Sequence, residues 1–317
     1  MNDMSDLLSK VDARTKLAGT NKLEILMFTL GMDQRTQRRE TFGINVFKVR
    51  EVLRVPPITQ APDMPTAVEG MVSLRGVLVP IIDLARYAGV GVTSRPGIMI
   101  VTEYNGHTQG FLVESVDTIL RLDWSSMKVP PDMMNTNMGG LVTAVTELAD
   151  GRLVMMLDVE RVLAETAQTD EDDTIYKNVL PLGLGNRRVF YADDSAVARR
   201  QIEKTLDAME VKGVSAVNGR QAWQELLKMA DYADAAHVPL KDMIQVILTD
   251  VEMPEMDGYM LTRKIKDDKR FAKIPVVMHS SLSGSSNQQL GKTVGVDEYV
   301  SKFEPNRLAQ TLARLLK

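Results

Sequence analysis

The sequence predicts a protein of two domains, with an all-β first half and an α/β second half built on a five-stranded parallel sheet. Three observations lead to this prediction. The chain has 317 residues, enough for two or three domains of roughly 100 to 200 residues each. Short strands with Gly and Pro turns fill the first half, and apolar strands alternate with amphipathic helices in the second. A stretch rich in acidic residues separates the two patterns.

These changes in composition divide the chain into four expected regions. They are an N-terminal segment (1–22), an all-β domain (23–164), a linker (165–186) and an α/β domain (187–317). The linker contains AETAQTDEDDTIYKN, which has too few apolar residues to form a core of its own.

Composition excludes several classes of function. The formal net charge of -4 lacks the basic surplus typical of nucleic acid binding. With 0 Cys and 3 dispersed His, any metal would be a hard cation held by oxygen ligands. No apolar run approaches the roughly 20 residues that cross a bilayer, and the N-terminus does not form a signal peptide. We therefore expect a cytoplasmic protein with no nucleic acid partner and no membrane insertion.

The all-β half contains a weak internal repeat. GINVFKVREVLRV (43–55) is similar to GFLVESVDTILRL (110–122). LVPIIDL (78–84) is similar to LVMMLDV (153–159), and this alignment matches Asp83 with Asp158. Either the half is a duplication, or two strand-rich segments align by chance. We expect two similar β barrels of antiparallel strands, with Asp83 and Asp158 as cap or turn residues at strand ends.

An arginine turn divides the apolar segment VEGMVSLRGVLVPIIDL (68–84). Arg75 and Gly76 separate two strands whose alternating apolar residues are expected to pack in the core, namely Val72, Leu74, Val77 and Val79. An arginine at such a turn either extends to solvent or offers its planar guanidinium to a carboxylate. Arg75 is therefore either a surface residue or a contact to a partner or subdomain.

The second half contains five pairs of a strand and a helix. The strands are RRVFYA, VSAV, MIQVILTD, IPVVMHS and EYVSK. The helices are expected over 195–209, 221–230, 258–266, a polar stretch ending near 295, and 306–316. Such alternation is typical of a parallel sheet covered by helices on both faces. Ser195 is a suitable cap for the first helix.

Acidic residues follow two of these strands. Asp193 and Asp194 end the first strand, and Asp250 ends the third. Right-handed connections bring the carboxyl ends of parallel strands to one edge of a sheet, where ligands bind. Neighbouring carboxylates repel each other unless a cation neutralises them. Mg²⁺ is the expected cation because it accepts carboxylates and keeps coordination places for water and phosphate oxygens.

Two further side chains lie at the same edge of the predicted sheet. Ser280 ends the fourth strand with a hydroxyl, and Lys302 ends the fifth with an ammonium. On its own, an aspartate near a loop is an ordinary solvated residue. The combination can accept a phosphoryl group, because the cations neutralise its oxygens while Asp250 attacks. His279, beside Ser280, is expected to pack or face solvent.

The second half resembles the receiver domain of bacterial response regulators. The resemblance lies in ADDS, LTDVEMPEMDG, PVVMHSS and DEYVSK, which follow one another in the order of that family. It implies a flavodoxin-like fold with Asp250 as phosphoacceptor. It also implies that Asp194, Asp250 and the Glu252 backbone carbonyl bind Mg²⁺, with Asp193 acting mainly through coordinated water. Ser280 and Lys302 would contact the phosphoryl group. Ser280 and Tyr299 would form a switch. Phe303 stands where the family usually has proline.

The first half resembles the CheW-like coupling domain of bacterial chemotaxis. The resemblance lies in the Arg75 and Gly76 turn, in Pro80 and Asp83 at the end of the next strand, and in the later GGLVTAVTELADGRLVMMLDVERVL. It implies a pair of small β barrels that binds chemoreceptors and a histidine kinase. Arg75 and Gly76 become the candidate residues for partner binding.

A coupling domain followed by a receiver predicts a scaffold at chemoreceptor arrays. It would join chemoreceptors to the histidine kinase and be regulated by phosphorylation of Asp250. A phosphate sink, which drains phosphoryl groups from the kinase, uses the same residues and stays an alternative. A third alternative, an unphosphorylated adaptor, does not need the acidic site. We expect no enzyme activity beyond Mg²⁺-dependent phosphorylation and dephosphorylation of the chain itself.

Overall fold

Two compact units form the structure, one within residues 22–167 and one within 168–317. The computed structural model describes residues 22–317 apart from 61–63, 66, 93–95, 105–106, 131–140, 167–175, 184–185, 282–290 and 303. The N-terminal segment up to residue 21, much of the linker, most of the helix expected after the fourth strand, and Phe303 lie outside the described residues. Among the helices described, none is both long and apolar enough to cross a membrane.

The first unit consists mainly of ten described strands. They are β1 (Lys22–Thr29), β2 (Thr41–Asn45), β3 (Val49–Arg54), β4 (Val68–Leu74), β5 (Val77–Asp83), β6 (Ile98–Tyr104), β7 (His107–Val113), β8 (Ser115–Asp123), β9 (Val142–Glu147) and β10 (Leu153–Leu157). Short helices α1 (Leu84–Tyr87) and α2 (Val159–Thr166) follow β5 and β10. One five-stranded sheet has the order β8-β1-β2-β10-β9, and the other β3-β6-β7-β5-β4. The expected division into two β subdomains is confirmed.

Strands β1 to β5 correspond in order to β6 to β10, so the internal repeat is confirmed. Gly43 pairs in parallel with Met156, and Gly110 pairs in parallel with Ile81, at matching positions of the aligned segments. A Cβ at Gly43 would lie 2.9 Å from Met156 Sδ, and one at Gly110 would lie 2.5 Å from Ile81 Cδ1. Both glycines therefore leave room for the corresponding neighbour.

Each sheet combines two strands of one repeat with three of the other. Because of this exchange, β2 lies beside β10 and β7 lies beside β5, and both of these pairs are parallel. The expectation of antiparallel strands throughout was wrong at these two pairs. Periodicity predicts strands, but it does not say which strands become neighbours.

Strand β1 shows how the first unit is packed. Ile25 and Met27 belong to an apolar cluster on one side of their sheet, whereas Leu26 and Phe28 belong to a core that contains residues of both sheets. The strand is therefore buried on both faces, which explains its continuous apolar sequence.

Asp83 and Asp158 cap α1 and α2, the two α-helices in the described part of the first unit, as expected. Asp83 Oδ1 accepts a hydrogen bond from the Arg86 backbone N at 3.1 Å, and Asp158 Oδ1 accepts one from the Arg161 backbone N at 3.0 Å. These bonds satisfy backbone donors in the first turn of each helix.

The expected core residues beside the Arg75 turn are only partly confirmed. Val72 and Val79 are buried, and Leu74 packs against the same cluster. Val77 is 50% exposed, so its assignment to the core was wrong. It lies at the start of β5, directly after the turn, where the alternation continues past the edge of the core.

The second unit is a parallel sheet with helices on both faces, as expected. Its strands are β11 (Arg188–Ala192), β12 (Lys212–Ala216), β13 (Val246–Thr249), β14 (Val276–Ser280) and β15 (Glu298–Ser301), in the order β12-β11-β13-β14-β15. Its described helices are α3 (Ala196–Ala208), α4 (Gly219–Ala236), α5 (Leu240–Met243), α6 (Gly258–Asp267) and α7 (Pro305–Leu315). Helix α5 was not predicted from the sequence, and α4 is longer at both ends than the predicted 221–230.

Two apolar cores hold these helices against the sheet. On one face Leu226 of α4 packs with Ile247, and on the other Ile202 of α3 packs with Val246. Val179, inside the expected linker, is buried in the second of these cores. Part of the sequence expected to connect the domains therefore packs as part of the second unit.

Candidate functional site

Three carboxylates meet at the carboxyl edge of the parallel sheet. One carboxylate oxygen from each of Asp193, Asp194 and Asp250 lies within 4.8 Å of the other two. Strands β11 and β13 are neighbours, and the Asp250 backbone N donates to the Ala192 carbonyl oxygen at 2.8 Å. The expected convergence is present. No other group of three His, Cys, Asp or Glu side chains among the described residues has this spacing.

Lys302 connects two of these carboxylates. Its Nζ lies 3.0 Å from Asp193 Oδ2 and 2.9 Å from Asp250 Oδ2. The Lys302 backbone N also donates to the Ser280 carbonyl oxygen at 3.2 Å, which ties the ends of β15 and β14 together. The ammonium therefore lies at the centre of the predicted site.

The site retains negative charge after this pairing. Asp193, Asp250 and Lys302 are buried, whereas Asp194 is partly exposed. Ionised, the three carboxylates carry three negative charges against the one positive charge of Lys302. Buried charges are costly unless they are compensated, so a further cation is favoured at the open side near Asp194.

Backbone contacts fix the loop between β11 and α3. Asp193 Oδ1 accepts a hydrogen bond from the Ser195 backbone N at 3.0 Å, and Ser195 caps α3 as expected. Arg199 Nη1 donates to the carbonyl oxygens of Asp193 at 2.7 Å and Asp194 at 2.9 Å. Sequence analysis missed Arg199. Its position four residues after the helix cap was the available signal.

The loop between β13 and α6 is equally constrained. Asp250 Oδ1 accepts a hydrogen bond from the Val251 backbone N at 2.6 Å. Asp257 caps α6 by accepting from the Met260 backbone N at 2.7 Å. A Cβ at Gly258 would lie 1.9 Å from the Asp250 carbonyl oxygen, so only glycine allows α6 to begin this close to the strand end. The roles of Asp257 and Gly258 were not predicted from the sequence.

Burial changes the acidity of Asp257. The pKa of its carboxyl group is raised from 3.8 to about 6, chiefly because burial disfavours the charged form. Hydrogen bonds from the first turn of α6 act in the opposite direction. Asp257 thus stabilises the start of α6 through its hydrogen bond, whereas keeping its buried carboxylate charged near neutral pH costs free energy.

Ser280 and Tyr299, the two expected switch residues, are hydrogen-bonded to each other. Burial raises the pKa of the Tyr299 hydroxyl above its usual value, while the bond to Ser280 lowers it. The Tyr299 ring packs against a cluster that contains Tyr259 and Met278. The partly buried Tyr299 ring therefore lies beside Ser280 and against this cluster.

For two other candidate residues of the second unit, His279 and Glu252, the structure gives mainly their burial. His279 is buried on β14, in agreement with the expected packing role. Glu252 is buried close in sequence to Asp250. The role of its backbone carbonyl as a metal ligand stays a prediction, as do the individual roles of the other site residues.

The Arg75 turn lies in the first unit. Arg75 and Gly76 both have positive φ, of 51° and 84°, in a two-residue hairpin turn between β4 and β5. Arg75 Nη2 lies 2.8 Å from Glu51 Oε2, yet its side chain is 72% exposed. The guanidinium therefore pairs within its own unit and remains accessible to a partner.

Comparison with family models assigns a known domain to each unit. Residues 24–167 match the CheW-like domain, and residues 189–313 match the response regulator receiver domain. These matches agree with the two resemblances found in the sequence. The fold class is confirmed for both units.

Three relatives match this chain over different parts of its length. The chain is 27% identical over 333 residues to chemotaxis protein CheV1 of Helicobacter pylori, covering 99% of each chain. It is 31% identical to chemotaxis protein CheW of Klebsiella aerogenes, covering 47% of this chain and 87% of that protein. It is 32% identical to chemotaxis protein CheY1 of Helicobacter pylori, covering 41% of this chain and 96% of that protein. One relative spans both units, and the other two each match a single unit.

Proposed function

Because the chain belongs to the CheV-type chemotaxis proteins, which join a CheW-like domain to a receiver domain, we propose that phosphorylation of Asp250 regulates its coupling activity. A role in chemotaxis coupling and signalling follows from the family itself. The finer proposal is that the CheW-like domain connects chemoreceptors to a histidine kinase at the receptor array. The observation that carries the proposed phosphorylation is the group formed by Asp250, two further aspartates and Lys302 in the receiver domain.

The donor set fits Mg²⁺. Carboxylate oxygens are the ligands that this hard cation prefers, and one from each aspartate lies within 4.8 Å of the others. Asp194, Asp250 and the Glu252 backbone carbonyl would hold the ion, with Asp193 acting mainly through water. When bound, Mg²⁺ would neutralise phosphoryl oxygens in the transition state.

Asp250 supplies the attacking oxygen in this proposal. Its carboxylate forms a bond to the phosphorus of a phosphohistidine or a small acyl phosphate, and the bond from phosphorus to the donor's leaving group breaks. The Val251 backbone N holds the carboxylate in orientation through its 2.6 Å hydrogen bond. Lys302 pairs with Asp250 before transfer and can pair with the phosphoryl oxygens afterwards. The chemistry proposed is limited to phosphorylation and dephosphorylation of Asp250.

The bond between Ser280 and Tyr299 offers a route from the phosphoryl group to the protein surface. Ser280 and Tyr299 share a hydrogen bond, and a phosphoryl group on Asp250 would offer the Ser280 hydroxyl a second, charged partner. Movement of Ser280 toward the phosphoryl group would alter the contact that holds Tyr299. The face around β14 and β15 would then have two arrangements, as a switch requires.

Labelling with acetyl phosphate tests the phosphoacceptor. We expect stoichiometric, Mg²⁺-dependent labelling of the wild-type chain and none of Asp250→Asn. The exposed Asp267→Asn, on the same unit, is the matched control and should label normally. Stoichiometric Mg²⁺-dependent labelling of Asp250→Asn at another residue would contradict the assignment.

A further inference from the structure

One side chain holds the backbone of both aspartates that follow β11. Arg199 Nη1 donates to the carbonyl oxygens of Asp193 and Asp194 at 2.7 Å and 2.9 Å. We propose that Arg199 is a positioning residue of the metal site, which keeps these two aspartates turned toward Asp250. The inference rests on the proposed function, because it concerns cation binding at the phosphoacceptor site.

The two hydrogen bonds of Arg199 Nη1 indicate that the chain turns between Asp193 and Asp194. Successive residues of an extended strand face opposite directions. A single nitrogen therefore reaches two consecutive carbonyl oxygens only where the chain turns between them. Donation from a guanidinium is also a charge-assisted hydrogen bond, about twice as strong as a neutral one. Arg199 thus stabilises the turn that separates the buried Asp193 from the partly exposed Asp194.

Helix α3 fixes the place from which Arg199 reaches this turn. The Arg199 backbone N donates to the Ser195 carbonyl oxygen at 3.0 Å, so the residue lies in the first turn after the helix cap. Side chains of a helix lean toward its N-terminus, which directs Arg199 back over the loop.

Arg199 contacts carbonyl oxygens in place of the carboxylate oxygens. It therefore orders the loop through the backbone, whereas the Asp193 carboxylate is held by the Ser195 backbone N and by Lys302. Lys302 has the other kind of role, because it pairs with carboxylates directly. One cation compensates charge in the site, and the other holds the backbone that carries the ligands.

Two effects of replacing Arg199 have opposite signs, so the direction of the change is informative. Loss of a positive charge beside three carboxylates strengthens cation binding. Loss of order in the loop weakens cation binding. Removal of a residue that orients metal ligands typically lowers metal affinity by about 10- to 100-fold. We expect the second effect to dominate.

The test is a Mn²⁺ titration of the full-length chain, with free Mn²⁺ followed by electron paramagnetic resonance and Mg²⁺ added as competitor. Arg199→Gln should raise the dissociation constant about 10-fold or more. Arg200→Gln is the matched control, because Arg200 is the next residue of the same helix, is exposed, and carries the same charge. It should leave the constant within about twofold of wild type, as expected for a screened surface charge.

A wild-type or lower dissociation constant for Arg199→Gln would overturn the inference. If that variant does not fold, as judged by circular dichroism, Arg199→Lys decides the question. Lysine keeps the charge but lacks the planar fork and reach of arginine, so weaker Mn²⁺ binding is expected and unchanged binding would overturn the inference. The titration contains no phosphodonor. A wild-type chain that binds Mn²⁺ but is not labelled by acetyl phosphate would instead contradict the proposed function.

Discussion

Lys302 and Asp250 form a buried ion pair, with Nζ 2.9 Å from Oδ2 and side chains that are 1% and 5% exposed. The same ammonium lies 3.0 Å from Asp193, so one cation compensates two buried carboxylates. This arrangement places the proposed nucleophile in contact with the group that would later pair with its phosphoryl oxygens. Removal of the ammonium should therefore affect stability and chemistry together.

Lys302→Met is expected to destabilise the second unit by about 3 to 5 kcal/mol in the absence of divalent cations, because two buried carboxylates lose their partner. Mg²⁺ should restore part of this loss, since it supplies the missing positive charge. Urea unfolding with and without Mg²⁺ measures both effects. In a Trp124→Phe background, Trp223 is the one remaining tryptophan and reports on this unit.

Lys228→Met provides the control for Lys302→Met. Lys228 pairs with Glu225 at an exposed site, where such pairs contribute about 0 to 1 kcal/mol. An equal loss of stability with and without Mg²⁺ for Lys302→Met would show that lysine and metal do not share the same charge cluster.

Asp257 should make stability depend on pH. The pKa of its carboxyl group is raised from 3.8 to about 6, so the folded chain binds the proton more tightly than the unfolded chain. Its contribution to the free energy of unfolding falls as pH rises from about 4 to about 6 and is constant above that range. Asp257→Asn keeps an oxygen acceptor for the helix cap and removes the titration. Relative to wild type, this variant should gain up to about 3 kcal/mol across the same pH range.

Urea unfolding of wild type and Asp257→Asn at several pH values checks this expectation. The sign of the change is the critical result. A stability difference that stays constant between about pH 4 and about pH 6 would show that the cap carboxylate does not titrate there.

Val179 should contribute to the stability of the second unit although it precedes the expected domain boundary. Its side chain is 7% exposed, and Val179→Ala should cost about 1 to 3 kcal/mol through lost burial and packing. The neighbouring Leu180 is 74% exposed, and Leu180→Ala should stay within about 0.5 kcal/mol. The unfolding assay with Trp223 measures both variants. Equal effects would mean that the segment does not pack against the receiver.

Arg75→Ala should weaken binding to the chemoreceptor or the kinase while leaving the fold intact. Loss of its exposed pair with Glu51 should cost at most about 1 kcal/mol of stability. Loss of a hydrogen-bonded interface charge costs about 2 to 5 kcal/mol of binding energy. Affinity for each purified partner and thermal unfolding are the two measurements.

The internal repeat provides a matched control for Arg75. Arg152 follows the turn between β9 and β10, which corresponds to the turn between β4 and β5, and it also pairs with a nearby carboxylate. Arg152→Ala should bind both partners as wild type does. Equal affinities for the Arg75 and Arg152 variants would argue against a specific interface at the Arg75 turn.

The acidic site could be predicted from the sequence because the positions of strand ends in a parallel sheet follow a general rule. Asp193, Asp250 and Lys302 each come directly after a strand, and parallel strands present their carboxyl ends at one edge. The direct contact of Lys302 with both aspartates was not predicted, since sequence analysis assigned the ammonium to the phosphoryl group. Without that group, the buried lysine pairs with the nearest available carboxylates.

Other features depend on three-dimensional packing that a single sequence does not express. The exchange of strands between repeats pairs β2 with β10, far along the chain, and no local pattern encodes that choice. Exposure of Val77 depends on how far a hairpin extends beyond its core. Burial of Val179 depends on apolar residues of α3 and α7, such as Ile202 and Leu308, that lie far along the chain. The acidic sequence around Val179 does not indicate this packing.

The measurement that tests the central claim most directly is receptor-stimulated kinase activity in reconstituted arrays. The wild-type protein is compared unmodified and activated with beryllofluoride, and Asp250→Asn receives the same treatment as a control. We expect a change of about fivefold or more on activation of the wild type, which corresponds to about 1 kcal/mol of coupling, and no change for Asp250→Asn. Identical kinase activity and identical partner affinities in the two wild-type states would contradict regulation by Asp250 and leave a phosphate sink as the better account.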